Sequence, residues 1–460
     1  MEGLEVSEVR LSELKITNYE LRLDAEYYRK EFLAHDLITK NLIVENLKNV
    51  TLKIDVGFVG TMVNHYTKQG VPLLQTKNIN EFFVNDGDTI QITEDFHHQL
   101  KKSQINKEDI LIARSGSFGK AAIYLETKTV NSSDIIIIKA NKAIINPYYL
   151  VSFLNTKLGV DQMLRFASGG LQGHVNLTIL ERLQVPILED SFQLKIEKIL
   201  QIAYNAKIQA QTLYHQAEEL LLKTIGLKDF KPSQEGKNIK SFKESFLSTG
   251  RLDAEYYQPK YEKIESMIRQ YKNGFSFIKE QFEQNKSLID YSIKEYNYIE
   301  IGDINVGNGA YNYNKIETSE LPTNAQIKSK QNDLLVSKVR PNRGAISIIN
   351  EEIPNLVVSG AFTVLKEKTD YKKETLFVFL RLQQIRDWLL KYNVGTSYPV
   401  IKDEDVLNLP IPLIDKTVQQ QIAGLIEESF ALRGESERLL EEATGMVERE
   451  IEESINNFNK

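Results

Sequence analysis

Three short segments of this chain carry residue types that chemistry needs, and each falls short of a working site. Gly116-Ser-Phe-Gly-Lys120 has the glycines and lysine of a phosphate-cradling loop. It is too short for that motif and lacks the following Ser or Thr that would hold magnesium. Asp24 with Glu26, and Asp253 with Glu255, set two carboxylates two residues apart, a spacing that invites an acid–base reading. Each pair lies in the same heptapeptide, Arg22-Leu-Asp-Ala-Glu-Tyr-Tyr28 and Arg251-Leu-Asp-Ala-Glu-Tyr-Tyr257. Carboxylates beside an arginine and two tyrosines readily close an internal ion-pair and hydrogen-bond network, so a buried structural role is expected. Cysteine is absent, which excludes disulfides and thiolate metal sites, and the six histidines are scattered. Neither a catalytic set nor a metal site is expected, and the chain itself implies no cofactor.

Asn146-Pro-Tyr-Tyr149 comes near the Asn-Pro-Pro-Tyr motif of amino-methyltransferases but lacks its second proline. A helix start explains it better, with Asn146 as N-cap and Pro147 in the first helical position. The polar and basic loops suit binding rather than reaction. Arg114, Ser115, Ser117 and Lys120 form a Gly-rich basic loop after an expected strand, able to offer side chains and backbone N–H groups to phosphate. The matching segment holds Lys338, Arg340, Asn342 and Arg343, stiffened by Pro341. Gln172 and His174, and further on Thr396, Ser397 and Tyr398, occupy the turns before the last expected strand of each half; glutamine can pair bidentately with adenine. Gln75, Lys77 and Asn78 lie at a strand end, and Tyr311, Asn312 and Lys315 mix aromatic, amide and basic groups. All are candidate nucleic-acid contacts.

The elements that must position these loops come in two copies. The two heptapeptides are 229 residues apart, half of the 460-residue chain. Asp109-Ile-Leu-Ile-Ala-Arg114 answers Asp333-Leu-Leu-Val-Ser-Lys338, Leu73–Asn80 answers Tyr298–Asn305, and Leu183-Gln-Val-Pro-Ile187 answers Leu407-Asn-Leu-Pro-Ile411. The matches keep their order, so the chain is two copies of one unit. Short Ile-, Val- and Phe-rich runs, such as Asp134–Lys139 and Leu356–Val364, read as strands between Gly and Asn turns. Helices are expected near 147–166 and 373–392.

Each copy ends in a long stretch free of breakers. From about 191 to 225, Phe192, Ile196, Ile199, Ala203, Ala206, Ala210, Leu213, Ala217 and Leu220 recur at alternating four and three. From about 417 to 455 the same phase gives Val418, Ile422, Leu425, Ser429, Leu432, Ser436, Leu439, Ala443 and Met446. That is a coiled-coil seam. Its small middle (Ala203, Ala206 and Ala210; Ser429 and Ser436) lets two antiparallel helix axes approach closely. The expected organisation is α+β: domains at 1–188 and 236–413, each mixed α and β around a sheet, with long helices and linker at 189–235 and 414–460. The net charge of −6 comes from 414–460, with 5 basic and 11 acidic residues; the rest balances to zero. A general basic stripe is missing, so any grip on DNA depends on local loops or on partners. No run is long and apolar enough to cross a bilayer, and a cytoplasmic protein is expected.

On the doubled heptapeptide, the paired Asp-Ile-Leu-Ile-Ala-Arg and Asp-Leu-Leu-Val-Ser-Lys strands and the repeated domain-then-helix plan, the chain resembles the specificity subunits of type I restriction–modification systems. The resemblance covers nearly the whole chain. It implies two target-recognition domains related by a pseudo-two-fold and joined by two long antiparallel coiled-coil helices. It implies double-stranded DNA as partner, each domain reading half of a split site, and two docked methyltransferase subunits that methylate adenine at N6 with S-adenosylmethionine. Restriction subunits would join through that complex. Gly169-Gly-Leu-Gln-Gly-His174 is longer than Gly395-Thr-Ser-Tyr398, so the resemblance does not imply that the two domains read the same bases. A related system with a fused modifying and cutting subunit, or a coiled-coil scaffold without a DNA role, are the alternatives. A non-catalytic subunit predicts that the purified chain neither transfers methyl groups from S-adenosylmethionine nor cuts DNA. Radiolabel transfer and nicking assays on the chain alone test this, and methyl transfer by it would overturn the reading.

Overall fold

The computed structural model describes residues 7–10, 22–40, 42–85, 87, 89–114, 119–166, 177–232, 237–395 and 397–458, with only the backbone of Ile179 and of 455–458. The chain forms two compact units, Met1–Ala206 with Gly434–Lys460, and Lys207–Arg433. Each division falls inside a long helix, so Asp190–Thr224 and Lys416–Phe458 each give one part to each unit. No helix among the described residues is long and apolar enough to cross a membrane.

In the first unit the strand Ile135–Ala140 pairs antiparallel with Thr51–Val56 on one side and Ile110–Ala113 on the other. Ala121–Ile123 and Phe82–Phe83 extend this five-stranded sheet. Ile110–Ala113, Ala121–Ile123 and residues 135–138 are apolar throughout because both faces of the sheet are covered there, whereas the edge strand Thr51–Val56 carries Lys53 and Asp55. Ile136, Ile138, Ile110 and Ile112 enter a core shared with helices, whereas Ile135, Ile137, Leu111 and Ala113 enter a second core against another five-stranded sheet. Side chains alternate across a strand, so a continuous isoleucine run feeds two cores at once. The second unit repeats the plan with two four-stranded sheets: Leu334 and Val336 meet the helices, and Leu335 meets the other sheet.

The copies share small devices as well as topology. Glu108 and Asn332 take equivalent left-handed positions, at φ 71° and 75°. Each precedes a buried aspartate, Asp109 or Asp333, that accepts a backbone N–H from Asn106 or Lys330. Burial pushes both carboxyls up. Gln193 accepts the backbone N–H of Asn146 and donates to the carbonyl of Leu188; Gln419 does the same with Lys372 and Ile414. These buried amides fasten the start of each long helix to the start of a domain helix.

Asn146 is the N-cap expected, accepting from the N–H groups of Tyr148 and Tyr149, with Pro147 next. The single helix expected over 147–166 is two, Pro147–Leu154 and Lys157–Phe166. The break lets Gly159 approach so closely that an added Cβ would lie 2.3 Å from the Phe153 carbonyl oxygen. The helix expected over 373–392 likewise divides into Lys373–Arg381 and Gln383–Leu389, followed by a 3-10 turn. The run 356–364 is two strands, Leu356–Ser359 and Phe362–Glu367.

Among the seam residues, Ala203, Ala206, Ala210, Ser429 and Ser436 are buried. Within the first unit the Ser436 hydroxyl donates to the Ala203 carbonyl at 2.8 Å; within the second the Ser429 hydroxyl donates to the Ala210 carbonyl at 2.7 Å. Leu213 and Leu432 are only half-buried, a correction to the heptad reading, and Tyr214 takes the buried position. A helix of 3.6 residues per turn drifts about 20° per heptad from a strict 3.5 repeat, so the buried line moves on by one residue. Replacing Ala210 with Leu overpacks this contact and should cost about 1–3 kcal/mol. Gln209→Leu on the neighbouring exposed position should stay within about 0.5 kcal/mol of wild type. Denaturant midpoints compare them, and equal values would remove the seam.

Candidate nucleic-acid interface

In the first unit the sheet geometry gathers two of the candidate segments. The turn Thr76–Asn78 follows the strand Val71–Leu74, and Arg114 follows Ile110–Ala113. Both meet at Asp134: the Thr76 hydroxyl donates to its carbonyl at 3.3 Å, and the Arg114 guanidinium pairs with its carboxylate at 3.1 Å. Asp134 holds a left-handed φ of 54°, which turns its carboxylate into this corner. Lys120 lies 3.5 Å from Glu81. Gln75 is half-buried and Lys77 exposed at the same turn. Asn78, expected to touch nucleic acid, is 2% exposed. Its side chain accepts the Gln75 N–H and donates to the Asn85 carbonyl, closing the turn from inside. An asparagine at a strand end reads equally as a contact or a turn clamp, and here it is the clamp.

In the second unit the backbone segments 338–343 and 397–401 zip together. Val339 bridges Val400, the Arg340 N–H donates to the Pro399 carbonyl, and the Ile401 N–H donates to the Lys338 carbonyl. Lys338, expected as a nucleic-acid contact, has a side chain only 18% exposed and pairs with Asp403 at 3.1 Å. Burial raises the Asp403 carboxyl, but hydrogen bonds from Thr363 and Lys338 outweigh it and hold the group below its usual range. Arg340 is different. It is exposed, lies over the Tyr398 ring at 5.4 Å, and holds φ 49° and ψ 54° directly before a proline. Left-handed backbone costs a side-chain-bearing residue about 1–2 kcal/mol, and a following proline narrows the choice further. Arg343 is exposed, whereas the Asn342 side-chain oxygen is buried without a partner. Ser397 is exposed beside Tyr398. The Tyr311 hydroxyl donates to Asn350 and burial raises its pKa; Asn312 is exposed, and Lys315 pairs with Glu295 at 2.7 Å. Ser115, Ser117, Gln172, His174 and Thr396 lie outside the described residues.

The residue that holds the second unit's loops was not singled out in the sequence. Buried Arg381, at the end of its helix, donates to the carbonyls of Gly344, Ile346 and Val306, tying the 341–346 and 305–309 segments together. Asn155 stands at the matching place in the first unit and exchanges hydrogen bonds with the backbone of Ala121. Arg and Asn share no sequence pattern, so only the repeat register aligns them.

The two heptapeptides form the internal network expected, but on the surface. Arg22 grips Asp24 with two 2.8 Å bonds and Arg251 grips Asp253 with two of 2.7 Å; Tyr28 and Tyr257 each donate to their arginine's carbonyl at 3.1 Å. Tyr27 is buried, with the Arg165 guanidinium 4.4 Å above its ring. The four residues from Leu to Glu are exposed in both copies, which corrects the expectation of burial. Among the described residues no cluster of His, Cys, Asp or Glu could hold a metal ion.

A family description, Type I restriction modification DNA specificity domain, matches residues 58–219 and again residues 263–439. The Type I restriction enzyme HindI specificity subunit of Haemophilus influenzae is 26% identical over 132 residues, 28% of this chain and 28% of that one. The Type I restriction enzyme MjaVIII specificity subunit of Methanocaldococcus jannaschii is 26% identical over 337 residues, 70% of this chain and 72% of that one. The match thus spans just over a quarter of the first relative and most of the second. Among solved structures, the type I system S subunit from M. genitalium aligns over 89% of this chain and 95% of its own, with 12% identity and a TM-score of 0.43. The HsdS subunit from Thermoanaerobacter tengcongensis aligns over 90% and 96%, with 11% identity and a TM-score of 0.30.

The strained arginine gives a sharp test. Arg340→Gly relieves the left-handed backbone, whereas Arg340→Ala keeps the strain and loses the same stacking. The glycine variant should therefore be about 1 kcal/mol more stable than the alanine variant, the reverse of the usual order. Both should bind DNA more weakly than wild type and with a shallower salt dependence. Melting curves and salt titrations read both effects. Alanine proving the more stable, or unchanged DNA affinity, would contradict this account of Arg340.

Proposed function

The chain belongs to the type I restriction–modification DNA specificity family, and on that premise we propose that it is the non-catalytic recognition subunit of such a complex, working in the cytoplasm. On this reading it holds a bipartite double-stranded DNA site, with one domain on each half. It docks two adenine-N6 methyltransferase subunits, which bring S-adenosylmethionine, and restriction subunits join through them. The observation that carries the proposal is the doubled family match, together with a loop cluster of cations and polar groups built at corresponding places in each unit.

Neither half suffices alone. A single domain reads a few base pairs, each contributing about 1–3 kcal/mol of discrimination. Two domains on one spacer multiply their selectivities, because the second contact forms at high effective concentration. Divergent loops fit division of labour: Arg114 and Lys120 in one unit answer Lys338, Arg340 and Arg343 in the other.

The spacer is the pair of long helices, which we read as antiparallel and related by a pseudo-two-fold. What supports close packing of the helices is that, within each unit, a serine of the second helix donates to an alanine carbonyl of the first. At about 1.5 Å per residue the helices make rulers of about 50–65 Å. Inserting four residues after Ala210 adds about 6 Å, close to two base pairs at about 3.4 Å each. A methylation map of the host should then show both half-sites unchanged and a longer spacer between them. An unchanged spacer, or new half-sites, would overturn the ruler.

A further inference from the structure

The doubled heptapeptide is not explained by folding alone. Its arginine, aspartate and last tyrosine close the network described above, and the fold needs them in both copies. The leucine at its second position has no such reason. Leu23 is 78% exposed and Leu252 is 66% exposed, and neither joins a hydrophobic core among the described residues. Ala25 and Ala254, Glu26 and Glu255 are exposed beside them. Identity ends at once on either side: Leu21 answers Gly250, and Arg29 answers Gln258. Two copies that have drifted elsewhere thus keep the same apolar side chain in water at the same place, on the same rigid turn.

An exposed leucine presented by a clamped turn is a knob. The Arg–Asp fork on one side and the tyrosine on the other hold the backbone that carries it, so little backbone freedom remains to be lost on binding. In the second unit the segment preceding the motif in sequence also exposes apolar side chains. Ile239, Phe242, Phe246 and Leu247 are all exposed, and the rings of Phe242 and Phe246 stack at 5.4 Å. An exposed apolar cluster of this kind marks a protein interface. DNA is a poor match, because the shared knob offers leucine, alanine and a carboxylate where phosphate would need cations.

We propose that the Leu-Asp-Ala-Glu faces at Leu23 and Leu252 are two equivalent docking knobs for two copies of one protein partner, the methyltransferase subunit. The inference rests on the functional reading above and adds where that partner holds on. Identical leucines imply one receiving surface used twice, a shallow apolar pocket; the glutamates are not equivalent, since Glu255 accepts from Tyr261 and lies by Lys260 of its own unit. The helices then set the distance between partners without being their only hold.

The test is stoichiometry. The full chain is co-expressed with the methyltransferase subunit of its own system, and native mass spectrometry counts the copies bound. Wild type should carry two. Leu23→Glu and Leu252→Glu should each carry one, with affinity at the altered site lowered at least about tenfold. The double variant should carry none at the same concentration. Leu288→Glu, at a 73% exposed leucine outside the motif, should keep two. Because both knobs are exposed, melting temperatures should match wild type; Leu23→Ala and Leu252→Ala repeat the test without a buried charge. Wild type carrying two while the single variants also carry two overturns the knobs and leaves the functional reading standing. Wild type carrying no methyltransferase overturns both.

Discussion

Each unit's core is closed by a helix segment from a remote part of the sequence, and the architecture depends on that closure. In the first unit Leu439, Ala443, Val447 and Ile451 join Ile196, Leu200, Ala203 and the domain helix residues Tyr149 and Phe153 in one core. In the second, Ala217, Leu221 and Ile225 join Ile422, Ile426, Phe377 and Trp388. Small side chains make this possible. At Ala203 with Ser436, and at Ala210 with Ser429, nothing larger than a hydroxymethyl separates the backbones, and each serine donates to the opposing carbonyl. That bond satisfies a hydroxyl that would otherwise be buried unpaired, at a cost of about 1–3 kcal/mol. The first unit therefore cannot complete its core until residues 434–460 arrive, so its formation carries the entropy of closing the loop 207–433, about half of the sequence.

This arrangement explains why the repeat was legible and the compact units were not. A repeat is a property of sequence order, and the pairs Asp109 with Asp333 and Gln193 with Gln419 keep equal offsets and equal bonds. A compact unit is a property of contacts, and no local signal says that residues 434–460 pack with residues 1–206. The helices themselves were readable to within a residue or so at their starts, because nothing interrupts their period. Their buried line was less so, since a strict heptad selected Leu213 where the straight helix buries Tyr214. The helix break at Asn155 and Thr156 is where the Asn155 side chain turns to the backbone of Ala121, a partner that lies 34 residues away in sequence.

The site was partly legible for the same reason. Arg114, Lys338 and Arg340 declared themselves as basic residues after strands, but their partners did not. Asp134, Asp403 and Tyr398 lie 20, 65 and 58 residues further on and meet them only in the fold. Asn78 illustrates the opposite error: residue type alone cannot separate a side chain that faces solvent from one that clamps its own turn. Arg381 was invisible because a buried arginine at a helix end looks like any surface arginine until its three backbone acceptors are seen.

On the recognition reading, the pairing of these cations bears on how a protein of net charge −6 can be selective for DNA. Arg114, Lys120, Lys315 and Lys338 each lie within 3.5 Å of a carboxylate of their own unit. A cation that reaches phosphate from such a pair exchanges one anion for another, so it gains less than a free lysine and releases fewer counterions on balance. Sequence-independent attraction, which rests on that release, is correspondingly weak. Arg340 is held by an aromatic ring rather than by a carboxylate, so its charge remains available to a second partner. On the recognition reading, a surface built this way holds random DNA loosely and gains affinity where both half-sites supply groups good enough to displace the carboxylates. Selectivity then comes from lowering the background as much as from strengthening the specific complex, because what matters against a genome of competing sites is the ratio of the two.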